Sequence, residues 1–153
     1  MRLVGILLAI AVAATPARAD DKAFKPYVGR IVVSPDVPPS VYEELPRFLK
    51  INFQADDSYE VIGGAPWKIN FVAVLGKDVK TVTLQLVDKA DKKGTPTETL
   101  ELTPKRRIVL ASIEATVAAG FAEHKTYVMQ LVAGKTVLAK CEVTLSSYKR
   151  PGT

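Results

Sequence analysis

The sequence has little cysteine and little histidine, with one of each, Cys141 and His124, among 153 residues. A single Cys excludes an intrachain disulfide, so the hydrophobic core alone must stabilise the fold. A single His leaves any zinc site or Ser-His-Asp triad dependent on one imidazole. We therefore expect no metal, no cofactor and no catalytic residue. We also expect Cys141 to be an inert thiol facing inward and His124 to be a solvated loop residue.

Long apolar runs are also scarce. The longest, from Leu3 to Ala14, has about a dozen residues, and roughly 20 are needed to cross a bilayer as a helix. Arg2 precedes this run and Ala17-Arg18-Ala19 follows it, which is typical of a cleavable signal peptide over residues 1–19. The sequence therefore predicts a secreted or periplasmic protein whose mature chain has no transmembrane segment.

A strong charge of one sign is missing as well. The formal charge of +5 falls to +3 once Arg2 and Arg18 leave with the signal peptide, which is too small to indicate a nucleic-acid partner. The remaining 134 residues suffice for one domain. We predict a signal peptide (1–19), a disordered N-terminus (20–26), a single domain (27–146) and a flexible C-terminal tail (147–153).

One segment near the N-terminus has a helical period. Its apolar residues recur every three or four positions: Val41, Leu45, Phe48, Leu49 and Phe53. Ser40 and Glu43 form a capping box just before that run. This pattern predicts a helix from about Ser40 to Phe53, which Pro46 either kinks or divides into two pieces. A strand over Leu49 to Phe53 is the alternative.

The rest of the chain favours strands. Period-two alternation or β-branched runs predict seven: Tyr27 to Ser34, Trp67 to Leu75, Val82 to Leu86, Thr99 to Leu102, Ile108 to Ala115, Tyr127 to Val132 and Thr136 to Leu145. A helix is the alternative at the far end of the Ile108 segment, where four residues also fit helical spacing: Leu110, Ile113, Val117 and Phe121. Turn residues separate them and no helices alternate with them, which favours an antiparallel sandwich. The predicted fold is mainly β, an immunoglobulin-like β-sandwich of about seven strands with one short helix near the N-terminus. In that fold Tyr127, near the start of the penultimate strand, takes the position of the corner tyrosine of immunoglobulin-like domains.

Three short segments resemble known sequences. They are Trp67-Lys-Ile-Asn-Phe-Val-Ala73, Lys125-Thr-Tyr-Val-Met129 and Gly134-Lys-Thr-Val-Leu-Ala139. With these segments the chain, over roughly residues 29–145, resembles uncharacterised secreted β-sandwich proteins of myxobacterial-type proteobacteria. The resemblance implies an early helix before a Trp-led strand, and it implies no known activity.

Several chemical motifs match only in part. Gly134-Lys135-Thr136 imitates the end of a phosphate-binding loop, but a strand follows it instead of a helix, which predicts a hairpin turn. The segment Ser146-Ser147-Tyr148-Lys149 has the spacing of penicillin-binding enzymes but lies in a polar tail without partner motifs. The acidic segment Asp56 to Glu60 has oxygens for calcium but lacks a calcium loop's glycine, so we expect a solvated turn there.

Basic residues are the one feature whose placement suggests a site. In a sandwich the turns that carry Lys77, Lys105 with Arg106, and Lys135 lie at one end. The opposite end carries Lys89, Lys92 and Lys93 beside Asp88 and Asp91. Four clustered cations predict a binding site for an anionic envelope polymer, while lysines that only solubilise turns are the alternative.

These observations predict a non-enzymatic exported binding or structural module of the cell envelope. Its partner would be an unknown protein or an anionic envelope polymer, and not a nucleic acid. A periplasmic hydrolase or metal carrier is the alternative, and it would require His124 to cluster with a carboxylate and a hydroxyl in one cleft.

Overall fold

The structure is a computed structural model, which describes residues 21–147. The predicted signal peptide and all of the predicted tail except Ser147 lie outside the described residues. Two short helices are present in the described part, α1 (Asp21–Phe24) and α2 (Leu45–Asn52). Its eight strands are β1 (Arg30–Ser34), β2 (Ser58–Ile62), β3 (Trp67–Val74), β4 (Val82–Asp88), β5 (Pro96–Leu102), β6 (Ile108–Ala115), β7 (Thr126–Ala133) and β8 (Thr136–Ser146).

The strands form one continuous mixed sheet that is nearly closed into a barrel. Its order is β5-β4-β7-β8-β1-β3-β6, and β2 also pairs with β8. The seven strands of this path curl through 261°. The predicted immunoglobulin-like antiparallel sandwich is therefore wrong, because the strands form one sheet and because β1 and β2 run parallel to β8.

Alternation could not distinguish these two folds. A sandwich strand and a barrel strand both bury every second side chain, so period two identifies strands without saying which of them pair. The decision depends on β1, whose Arg30 pairs with Lys140 of β8 on one side while the whole strand pairs with β3 on the other. β1 thereby joins the two halves of the sheet that a sandwich would keep apart.

Strands β1 and β3 are buried on both faces. Phe71 and Ile31 face the barrel interior, while Val32 and Val72 face outward and are still inaccessible. The outer face is covered from the N-terminal side, where α2 packs against β1. Alternation over Trp67 to Leu75 predicts a strand with one buried and one exposed face, and this prediction is wrong, since Lys68 is the one exposed residue of β3.

The strand patterns predict one shared core of six residues, and all six are buried: Trp67, Phe71, Leu84, Leu110, Met129 and Leu131. Phe71, Leu84, Met129 and Leu131 are fully inaccessible, and Trp67 is 3% exposed. Leu110, at 8%, is buried as well, but it pairs with Val72 and so lies on the outer face of the sheet.

The helical segment is divided into two pieces, which is one of the two outcomes predicted for Pro46. A 3-10 turn over Tyr42–Glu44 precedes α2, and Pro46 lies in the first turn of α2, where its missing N–H removes no helical hydrogen bond. The predicted capping box is wrong, because the N-cap is Val41 and no side chain caps that turn. The alternative strand over Leu49 to Phe53 is also wrong.

The N-terminal stretch for which we predicted disorder is ordered over its described part. α1 and a following 3-10 turn, Lys25–Tyr27, occupy it. Phe24 is 4% exposed and contacts the Tyr42 ring at 5.1 Å between centroids. Aromatic burial thus fixes a segment whose polar composition had indicated fraying.

β2 was missed from the sequence, and its presence forks the sheet. β1 leaves β8 after Arg30, and β2 then pairs with β8 from Glu142 to Ser146. The Arg30 guanidinium binds the Asp57 carboxylate at 2.7 Å where the two strands part. Asp57 stands at a φ of 54°, a left-handed conformation that Asp tolerates better than most residues.

Candidate functional site

Three turns of the barrel lie at the same end. The strand registers determine this: Val74 pairs with Ile108, which joins the β3–β4 turn to the β5–β6 turn. The start of β4 pairs with the ends of β5 and β7, so the β7–β8 turn lies at the same end of the barrel as the other two turns. The structure therefore brings the turns of Lys77, Lys105, Arg106 and Lys135 to one end, in a barrel instead of the expected sandwich.

The cations of these turns outnumber the acids. Residues 75–81, 103–107 and 134–135 contain six cations and one carboxylate, that of Asp78. The cations are all exposed: Lys77, Lys80, Lys105, Arg106, Arg107 and Lys135. We call these six residues the basic end. Lys80 and Arg107 were not among the predicted site residues, although both were visible in the sequence of the same turns.

The β5–β6 turn holds its two arginines in a strained conformation. Lys105 and Ile108 exchange backbone hydrogen bonds of 2.9 and 2.8 Å, which close a two-residue turn. Arg106 and Arg107 occupy its centre with φ values of 50° and 65°. Such positions favour Gly or Asn, and a bulky residue there costs on the order of 1–3 kcal/mol. Strain of this kind concentrates at functional sites.

Neighbouring groups position both arginines. The Arg106 guanidinium lies 5.7 Å from the centre of the Tyr42 ring. Arg107 Nε lies 3.5 Å from Asp78 Oδ1, and its carbonyl accepts a 2.7 Å hydrogen bond from Leu75 N. That hydrogen bond ties the first turn directly to the second.

No protein-family model matches the chain, and no curated protein matches it significantly. The resemblance to secreted proteins of myxobacterial-type proteobacteria therefore stays a prediction.

Two cations of the opposite end of the barrel are paired with carboxylates at short distance. Lys89 Nζ lies 2.9 Å from Glu142 Oε1, and Lys125 Nζ lies 2.8 Å from Asp88 Oδ2. The hydrogen bond from Lys125 holds the pKa of Asp88 below its ordinary value. Asp91 accepts hydrogen bonds from the backbone of Lys93 and Thr95. The positive charge of this end is thus largely compensated.

Cys141 and His124 lie apart from the basic end. Cys141 is 2% exposed, and burial raises the pKa of its thiol above the ordinary value. Its predicted inward orientation is confirmed. His124 lies in the exposed loop between β6 and β7, with Nε2 3.3 Å from Glu123 Oε1. In the range 21–147, no group of three His, Cys, Asp or Glu side chains is placed to hold a metal ion.

The partial motifs have structural roles. Gly134 has a φ of 61° in the turn before β8, as the hairpin prediction required. Asp56 Oδ1 accepts a hydrogen bond from the N–H of Ser58, the first residue of β2, so the solvated turn predicted over Asp56 to Glu60 is partly wrong. Ser146 ends β8, while Tyr148 and Lys149 lie outside the described residues. None of the helices over residues 21–147 is long and apolar enough to span a bilayer.

A cleft that the sequence did not predict lies beside the fork. It has a volume of about 410 Å³, within the range of ligand sites, and is bordered by residues 33–35, 60–64 and 66–68. These are the end of β1, β2 with its following glycines, and the start of β3. The alternation of Tyr59 and Val61 with exposed neighbours was the available signal, but five residues between two turns are too few to distinguish a strand from a loop.

Proposed function

We propose that this protein is a non-enzymatic binding module of the cell envelope that holds an anionic surface polymer, such as a phosphorylated glycan, on its basic end. The observation that carries the proposal is the shared position of the three turns. Cations up to 58 positions apart in the sequence, from Lys77 to Lys135, meet at one end of the barrel with a single carboxylate among them.

The strained turn supports the proposal. Asn-Gly would form a two-residue turn at lower conformational free energy than Arg106-Arg107. An arginine guanidinium offers planar, bidentate donation to phosphate or carboxylate groups. Two arginines at a strained tip thus place two cations side by side despite the conformational cost.

Affinity must come from several cations together. An exposed ion pair contributes at most about 1 kcal/mol, and salt screens it. Six cations along one end can contact successive charges of a polymer, whereas Asp88, Asp91 and Glu142 lie among the lysines of the opposite end.

Replacing Lys77, Lys105 and Lys135 with Gln should weaken binding of an anionic polymer at least tenfold. Immobilised dextran sulfate is the probe, neutral dextran the blank, and surface plasmon resonance at 50 and 200 mM salt the measurement. Higher salt should weaken the wild-type protein and have less effect on the variant.

A matched control removes the same charge from the other end. Replacing Lys89, Lys92 and Lys93 with Gln lowers the net charge equally and should leave at least half of the affinity. Equal losses in both triple variants would show that net charge alone attracts the polymer, and the basic end would not be a site.

A further variant separates binding from stability. Arg107→Gly removes one cation and relieves the positive φ, so the urea midpoint should stay level or rise while polymer affinity falls about threefold. A variant that binds as well as the wild type would contradict the role of the strained turn.

A further inference from the structure

The cleft beside the fork is bordered by strand edges whose backbone groups lack partners in the sheet. Asp57 O accepts a hydrogen bond from Glu142 N (2.8 Å), and Gly63 N donates one to Ser146 O (3.1 Å). In a parallel ladder, alternate residues bond to the same neighbour. Tyr59 and Val61 therefore bond to β8, while the N–H and C=O groups of Glu60 and Ile62 point into the cleft.

On the opposite wall of the cleft, the backbone groups of Lys68 also lack a partner in the sheet. Leu75 N donates to Arg107 O, so the odd-numbered residues of β3 bond to β6 and the even-numbered ones face β1. β1 ends at Ser34, opposite Asn70, so it does not reach Lys68. Glu60, Ile62 and Lys68 thus direct backbone donors and acceptors into one cleft from two sides.

Side chains give the cleft an apolar floor and a charged rim. Val61 and Trp67 face inward and are 8% and 3% exposed. Glu60 and Lys68 face outward from β2 and β3, and neither forms an ion pair within residues 21–147. Ile62 adds an apolar side chain that is 55% exposed at the rim.

We propose that this cleft binds an extended peptide segment of a partner protein, which adds as a strand between β2 and the start of β3. Open backbone groups at a sheet edge bind an extended peptide through main-chain hydrogen bonds, and side-chain pockets select its sequence. An added strand would alternate apolar side chains, facing Val61 and Trp67, with outward charges. Its cation would lie beside Glu60 and its carboxylate beside Lys68. This site is independent of the basic end.

The other open edges are less suited to a peptide. β5 and β6 border the opening of the barrel, but Pro96 begins β5 and Glu98 faces inward from it. A proline and an inward charge are features that discourage strand addition. The small cavity between these strands has a volume of about 30 Å³, which suffices for a water molecule and not for a peptide.

Selection from a displayed library of random ten-residue peptides, with the full chain as bait, tests the proposal. The selected peptides should alternate apolar residues with charges of both signs. Trp67 is the single tryptophan, so its fluorescence should change on binding. Ile62→Pro removes an N–H that faces the cleft and leaves the pairing of β2 with β8 intact, so it should weaken binding at least tenfold.

A charge swap provides the second test. Glu60→Lys should weaken a lysine-bearing peptide about fivefold, and changing that lysine to Glu in the peptide should restore binding. Glu101→Lys makes the same charge change on exposed β5 and should have no effect. The proposal is overturned if the library yields no binder, or if Ile62→Pro and Glu60→Lys bind the selected peptides as tightly as the wild type.

Discussion

At the scale of single residues, Tyr127 shows how one hydroxyl can fix a loop. Its ring contacts Phe121 with 4.9 Å between centroids, and its hydroxyl accepts a 2.9 Å hydrogen bond from Ala122 N. Tyr127 is 1% exposed, so its hydroxyl is anchored by the core while it holds the β6–β7 loop. The corner-tyrosine prediction therefore identified a real loop contact, although the sandwich from which it came is wrong.

Tyr127→Phe should lower the free energy of unfolding by about 1–2 kcal/mol, because the half-buried Ala122 N–H loses its acceptor. Urea denaturation measures the change. Tyr59→Phe is the matched control: its hydroxyl accepts from Gln54 N, a residue exposed to water, so removing it should cost less than about 0.5 kcal/mol. Equal losses in the two variants would argue against the loop-fixing role.

At the scale of elements, the fork depends on the contact between Arg30 and Asp57. The guanidinium also lies 5.3 Å from the centre of the Phe53 ring. Asp57 Oδ1 is buried without a hydrogen-bond partner. The carboxylate therefore depends on the contact between its other oxygen, Oδ2, and Arg30. The pair is about one-third exposed, which limits its strength.

A double-mutant cycle with Arg30→Met and Asp57→Asn should give a coupling free energy of about 1 kcal/mol. Asn tolerates the positive φ of residue 57, so the cycle isolates the charge interaction from backbone strain. Hydrogen exchange of the β2 amides should increase in Arg30→Met more than exchange in β4. Uniform exchange changes across the sheet would show that the contact does not hold β2 specifically.

At the scale of the whole molecule, burial of two acidic groups limits stability at high pH. Burial raises the pKa of Tyr59 to about 12 and also raises the pKa of the Cys141 thiol. Both groups hold their protons more tightly in the folded chain than in the unfolded one. Their contribution is complete below about pH 8.5, where the unfolded thiol is still protonated, and is lost as pH rises toward the folded pKa values.

The urea midpoint should therefore fall as pH rises from about 9 to 12. Cys141→Ala should flatten the first part of that decline, and Tyr59→Phe the part above about pH 10. Circular dichroism at fixed urea and stepped pH measures both. If all three proteins lose stability in parallel, the titration of other groups governs alkaline unfolding.

The sequence by itself determined seven of the eight strands in residues 21–147 and the alternation of their side chains, because period-two alternation depends only on the local backbone. It located β3, β6 and β8 within a residue or two at each end. It also placed the cations of the basic end in turns, because turn composition is a local property as well. It could not reveal β2, since Asp56 and Asp57 gave that short segment the composition of a loop.

Only the tertiary structure decided how these strands pair and where their side chains meet. Parallel pairing of β1 and β2 with β8 depends on contacts between residues more than 80 positions apart, which leave no local periodicity. The same pairing converts the expected sandwich into a barrel and opens the fork cleft. Burial of Val32 and Val72 under the N-terminal helices likewise depends on packing, because an apolar residue on an outer face looks the same in the sequence whether or not a helix covers it.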